Sequence, residues 1–160
     1  SPVVSSAVET LLGALILGPV AQASELARAM LEPVARSLGY MRQRLDADMR
    51  EAVTLDELAA AGKVSPEHLC RLFREALDTS PVQAVSLLRL DRALTQLVRC
   101  DLTVAQVADR TGFASPFHFS RRFKQVYGKS PSQARKAYLD QGFTPVNKIT
   151  DRLRMHTRGK

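Results

Sequence analysis

A repeat at constant offset restricts what this chain can fold into more than any other feature. Ser65, Pro66, His68, Arg71 and Phe73 return as Ser115, Pro116, His118, Arg121 and Phe123, each 50 positions later. The register extends on both sides, with Gly62 answering to Gly112, Ser80-Pro81 to Ser130-Pro131, and Gln83-Ala84 to Gln133-Ala134. Self-similarity at one period means one supersecondary unit used twice. The fold is therefore a tandem, and the remaining question is what each unit is made of.

The unit is helical, because its helix starts are marked. Thr54 with Glu57, Ser80 with Gln83, Thr103 with Gln106, and Ser130 with Gln133 each form a capping-box pattern, in which the two side chains satisfy exposed amides reciprocally. Ser65-Pro66 and Ser115-Pro116 add two more starts, with Ser as N-cap and Pro at the first helical position, where its missing N–H costs nothing. No strand pattern competes. In each unit a first helix carries an i, i+3, i+4 apolar face, Leu55, Leu58 and Ala59 in one copy and Val104, Val107 and Ala108 in the other. Gly62 and Gly112 follow, and a left-handed glycine at that point would end the helix and reverse the chain. The second helix then buries Leu69, Leu72, Phe73, Ala76 and Leu77, or Phe119, Phe123, Val126 and Tyr127. Arg122 stands where the first copy has Leu72, so the copies are not interchangeable.

Opposite those core stripes lie Glu67, Arg71 and Arg74, flanked by Cys70, and in the second copy Phe117, Arg121 and Lys124, flanked by Ser120. His68 and His118 lie nearer the flank, where backbone hydrogen bonding competes with a role toward a partner. Between the units, Pro81 to Arg99 reads as one uninterrupted helix with apolar Val85, Leu88, Ala93 and Leu97. Its length, roughly 28 Å at 1.5 Å per residue, approaches the ~34 Å between successive major-groove faces of B-DNA. Before the first unit, Val34, Leu38, Met41 and Leu45 mark a supporting helix over Leu31–Leu45. The expected division is thus residues 1–30 as an amphipathic segment, 31–80 as the first unit, 81–99 as the connecting helix, 100–140 as the second unit, and 141–160 as a basic, flexible tail.

Charge separates the possible partners. The net charge is +7, yet residues 1–53 sum to −1, 54–109 to −2 and 110–160 to +10. A polyanion is the natural partner of the second unit. The two cysteines, Cys70 and Cys100, have no Cys or His cluster around them, so neither a disulfide framework nor a metal site is indicated. No cofactor is implied either. The apolar stretch Leu11–Val20 is broken by Gly13, Gly18 and Pro19 and is too short for a membrane span, which points to a cytoplasmic, non-membrane setting. His68, His118 and His156 have no nucleophile or carboxylate at a catalytic spacing, so an enzyme is not expected.

The most specific stretch, Val104–Arg135, resembles the DNA-binding domain of AraC/XylS-type transcriptional regulators. Gly112-Phe113, Ser115, Phe119, Arg121, Phe123-Lys124, Gly128, Ser130-Pro131 and Arg135 fall on the family signature, and Arg89-Leu90 with Ala93 is similar to its connecting-helix motif. The likeness runs from about Leu31 to Tyr138, with one departure at Ala134, where the family has an aromatic before its final Arg. The resemblance implies an all-α fold of two tandem helix-turn-helix units joined by a long helix, binding specific double-stranded DNA and regulating transcription. It makes Glu67, His68, Cys70, Arg71, Phe117, His118, Ser120 and Arg121 the expected base contacts. Arg74, Arg89, Lys124, Lys129 and Arg135 are the expected phosphate contacts. Glu67 would either accept from a cytosine amino group or penalise wrong sites. RNA polymerase is the expected protein partner in the bacterial nucleoid, with a small-molecule effector bound by a region outside this chain. The chain opens on Ser1 rather than Met, which fits a fragment. The stripe Val8, Leu11, Leu12, Leu15 and Ile16 would serve a homodimer through residues 5–30, or pack on the first unit. The competing functional reading is a helical protein-interaction module with only non-specific DNA affinity.

Overall fold

This computed structural model describes residues 25–147, 149 and 151, among which there are seven helices up to Gln141, helical backbone again at Ile149 and Asp151, and no strand. The seven helices are α1 (Glu25–Ala47), α2 (Leu55–Gly62), α3 (Pro66–Leu77), α4 (Pro81–Arg99), α5 (Val104–Arg110), α6 (Pro116–Tyr127) and α7 (Pro131–Gln141). The stripe at Val8–Ile16 and the end of the basic tail lie outside the described residues. Among those residues, no helix is long and apolar enough to cross a membrane.

The caps act where the sequence places them, with one exception. Thr54, Thr103 and Ser130 complete reciprocal boxes with Glu57, Gln106 and Gln133. Ser80 accepts from the Gln83 amide, but the Gln83 side chain takes the Thr79 hydroxyl instead (3.2 Å), so that box is half made. Thr79 is buried, and an unpaired buried hydroxyl costs more than a cap bond left to water.

Helix α4 is the wall that both units share. Its first half gives Ala84, Val85, Leu87 and Leu88 to a core with Leu31, Val34, Leu38, Met41 and Leu45 of α1, Leu58 of α2, and Leu69 and Phe73 of α3. Its second half gives Leu90, Ala93, Leu94 and Leu97 to a core with Val107, Ala108, Phe119, Phe123 and Ala134. Phe113, Phe119, Phe123 and Tyr127 continue through the second core as tilted rings 5.1, 5.6 and 4.6 Å apart. Val126 and Tyr127, expected to be buried, are only half-buried.

Two expectations need correction. Gly62 does not reverse the chain: it is the last helical residue, and Lys63 adopts the left-handed conformation (φ 58°). Glycine is needed at 62 for closeness, since a Cβ there would stand 3.0 Å from Pro33 O and 3.0 Å from Ser37 Oγ. Gly112 does take the positive φ (80°). The second correction concerns the residues after α7, expected to be flexible. Pro145, Asn147 and Ile149 are buried, and Ile149 joins the core of the first unit.

Candidate nucleic-acid interface

The second helix of each unit presents its outer face from a matching start. Ser65 Oγ accepts from the His68 N–H at 3.2 Å and Ser115 Oγ from the His118 N–H at 3.1 Å, while Pro66 and Pro116 open the helices. Burial of Leu69, Leu72, Phe73, Ala76 and Leu77 turns Glu67, Arg71 and Arg74 outward on α3, with His68 and Cys70 half-buried at the flank. Burial of Phe119 and Phe123 turns Phe117, His118, Arg121 and Lys124 outward on α6, with Ser120 half-buried. The expected base-facing residues therefore share two faces, and each face is a ridge rather than a pocket. Phe117 is 76% exposed, which is costly for an aromatic that meets only water.

The two faces differ in chemistry. On α3 an Arg71 terminal nitrogen lies 2.7 Å from His68 Nδ1, and a guanidinium can only donate, so Nδ1 is the acceptor of this contact. Arg71 is thereby steadied along its own helix. On α6 His118 instead sits beside Phe113, ring centroids 6.0 Å apart. Helix α3 balances Arg71 and Arg74 against Glu67 and Glu75, whereas α6 carries Arg121, Arg122 and Lys124 with no acid.

Of the expected phosphate contacts, Arg74, Lys124 and Lys129 are exposed, and Lys129 Nζ lies 5.3 Å from the Phe143 ring centroid. Arg89 and Arg135 are not available in the same way. Arg89 donates to Glu51 O at 2.8 Å, and burial lowers its pKa from the ordinary value while Asp48 raises it. Arg135 donates from Nε to Leu97 O at 2.9 Å and from its guanidinium end to Leu102 O. The first bond supplies a donor to a carbonyl that the C-terminal end of α4 leaves without a partner, and the second ties down the loop between α4 and α5. Both side chains act inside the fold, which nothing in their sequence neighbourhood signals.

Sequence reasoning also missed the cluster that locks α2 to α1. Arg44 donates to Tyr40 Oη and Glu57 Oε1, each at 2.6 Å, and pairs with Glu51 at 2.7 Å. The Glu57 carboxylate also accepts from the Thr54 amide and hydroxyl, and these bonds, with Arg44 next, pull its pKa from 4.5 to about 2. The capping pattern at Thr54 and Glu57 was the visible part of this cluster.

Comparison with known proteins agrees with the geometry. A family model described as a helix-turn-helix domain matches residues 58–137. The transcriptional activator NphR of Rhodococcus is 37% identical over 140 residues, covering 86% of this chain and 40% of that protein. The regulator CdhR of Pseudomonas aeruginosa is 43% identical over 83 residues, covering 52% of this chain and 25% of that protein. The chain thus spans well under half the length of these curated relatives. Among solved structures, an AraC-type transcriptional regulator from Chromobacterium violaceum superposes with a TM-score of 0.62 at 27% identity, covering 69% of this chain and 95% of that one. The DNA-binding domain of AdpA, solved with a target DNA, superposes at 0.58 and 28% identity, covering 69% and 96%. The repeated capped helices, the helix shared between two cores and the match over half the residues agree, and the chain belongs to the AraC-type helix-turn-helix family of transcriptional regulators.

Proposed function

We propose that this chain regulates transcription by binding specific double-stranded DNA, with α3 and α6 entering successive major-groove segments. The observation that carries the reading is the pair of outward faces, matched in start and orientation, that end in Arg71 and Arg121. An arginine fork pairs with guanine O6 and N7, a contact worth about 1–3 kcal/mol of discrimination. Phe117 meets a thymine methyl, which accounts for its exposure. Arg74, Lys124 and Lys129 hold phosphates and supply affinity without sequence choice. Helix α6, with three cations and no acid, carries most of the affinity, and α3, with Glu67, carries more of the discrimination.

Other assignments rest on the family and on the greater length of its members. We place the contact with RNA polymerase on the exposed surface of this domain, the effector site in a region outside this chain, and a homodimer contact at residues 5–30, which light scattering reads directly. The protein acts in the cytoplasm, where its DNA is.

Selection of duplexes from a random pool, followed by titration at two salt concentrations, tests the reading. Arg121→Ala should weaken binding to the selected duplex over ~10-fold and leave a scrambled duplex little changed. Lys124→Ala should weaken both and lower the salt slope by about 1. Equal affinity of the parent for selected and scrambled duplexes would favour a protein-interaction module instead.

A further inference from the structure

Helix α6 is attached to the first unit at both of its ends. At the start, the turn leading into it lies directly on the loop between α1 and α2, since a Cβ on Gly112 would stand 2.8 Å from Met49 O and 3.0 Å from Arg50 Cα. Arg50 reaches Asp109 across that seam at 3.8 Å. The loop is held to α4 in turn by Arg89 on Glu51 O, and the end of α1 beside it by the Arg92–Asp46 ion pair. At the other end the chain returns after α7. Asn147, 3% exposed, donates from its side-chain amide to Leu87 O of α4 at 2.9 Å and to Tyr127 Oη of α6 at 3.0 Å. Its Oδ1 accepts from the Ile149 N–H at 3.1 Å, and Ile149 is seated in the first core.

Packing at this second attachment is partial, with Val126 of α6 reaching the first core. Between α6 and the first half of α4 lies a cavity of about 340 Å³, open on one side, bordered by Gln83, Leu87, Arg122 and Val126 and closed on the tail side by Val146 and Asn147 itself. A gap transmits no register, because side chains hold neighbours in place only where they interdigitate. Directional bonds from one buried amide do, since the buried Asn147 amide meets Leu87 O and Tyr127 Oη together only in this setting.

The geometry points to Asn147 as a positioning residue for DNA recognition: with the Gly112 seam, it holds both recognition helices at one mutual setting, so that the chain accepts one spacing between its half-sites. The inference rests on the proposed reading of α3 and α6. An inserted base pair shifts one half-site by about 3.4 Å and turns it by about 35°. A clamped pair of helices cannot follow that displacement, and a released α6 can.

Two measurements on the full chain test this. Spin labels at Glu75→Cys on α3 and Gln125→Cys on α6, with Cys70→Ser and Cys100→Ser, should give one narrow distance distribution. Asn147→Ala should broaden it. Tyr127→Phe, which removes one hydroxyl and leaves the ring in place, should broaden it less and guards against a misfolded variant. In the unlabelled chain, one base pair inserted between the half-sites of the selected duplex should weaken the parent over ~10-fold, equivalent to ~1.4 kcal/mol or more, and Asn147→Ala under ~3-fold. Unchanged distributions in both variants overturn the clamp. An unchanged insertion penalty in a variant whose distribution has broadened overturns its role in spacing. A parent with no preference for the selected duplex removes the DNA reading itself, and the distance distributions still decide the clamp.

Discussion

A single methyl group separates the glycines of this chain by what surrounds them. Gly112 and Gly128 both have positive φ, 80° and 74°, but a Cβ on Gly112 meets backbone at 2.8 Å while one on Gly128 meets nothing within 4 Å. Gly128→Ala should therefore cost only the left-handed penalty, about 1–2 kcal/mol. Gly112→Ala should cost more, because backbone atoms of the α1–α2 loop must also shift. Denaturant titration of the two variants measures the difference, and equal losses would mean that the loop yields freely. At this scale the sequence was legible wherever a residue answers to its own helix. The outward placement of Arg71, Arg74, Phe117, Arg121 and Lys124 follows from periodicity, which needs no partner. Arg89 and Arg135 defeated the same reasoning, because the carbonyls they bond, Glu51 O and Leu97 O, lie 38 residues away.

Helix α2 shows how a local signal becomes part of a larger device. Its capping box makes Glu57 the meeting point of the Thr54 cap and Arg44 of α1. The folded-state pKa of Glu57 is depressed, so the charged carboxylate stabilises the fold above its unfolded value of 4.5, and that contribution is lost as pH falls toward about 2. Glu57→Gln should flatten the acid limb of a stability–pH profile in that window while keeping the cap, since glutamine completes the boxes at Thr103 and Ser130. An acid limb as steep as the parent's would place the sensitivity on another carboxylate. Helix starts were readable because a cap acts over three residues. The end of α2 was not, because Gly62 answers to Pro33 and Ser37 of another helix.

Across the whole molecule, α4 makes the two units one thermodynamic body. Leu88 closes one core and Leu90 opens the next on the same helix, so neither core can melt without removing a wall of the other. Leu90→Ala, at a fully buried position, should cost about 2–5 kcal/mol. It should lower the midpoints of amide signals from α2 and α6 together. A loss confined to α6 would mean that the units unfold separately.

The sequence by itself determined the repeat, six of the helix starts, both core stripes, the connecting helix and the family. Each is written in residues a few positions apart or in a motif long enough to be specific. The tertiary structure alone decided which arginines remain on the surface, which residue reverses the chain after α2, and that the C-terminal segment returns through Asn147 and Ile149. Those outcomes depend on groups brought together from distant parts of the chain, where neither periodicity nor capping carries information. Which polar group satisfies which buried partner is settled only once the helices have packed.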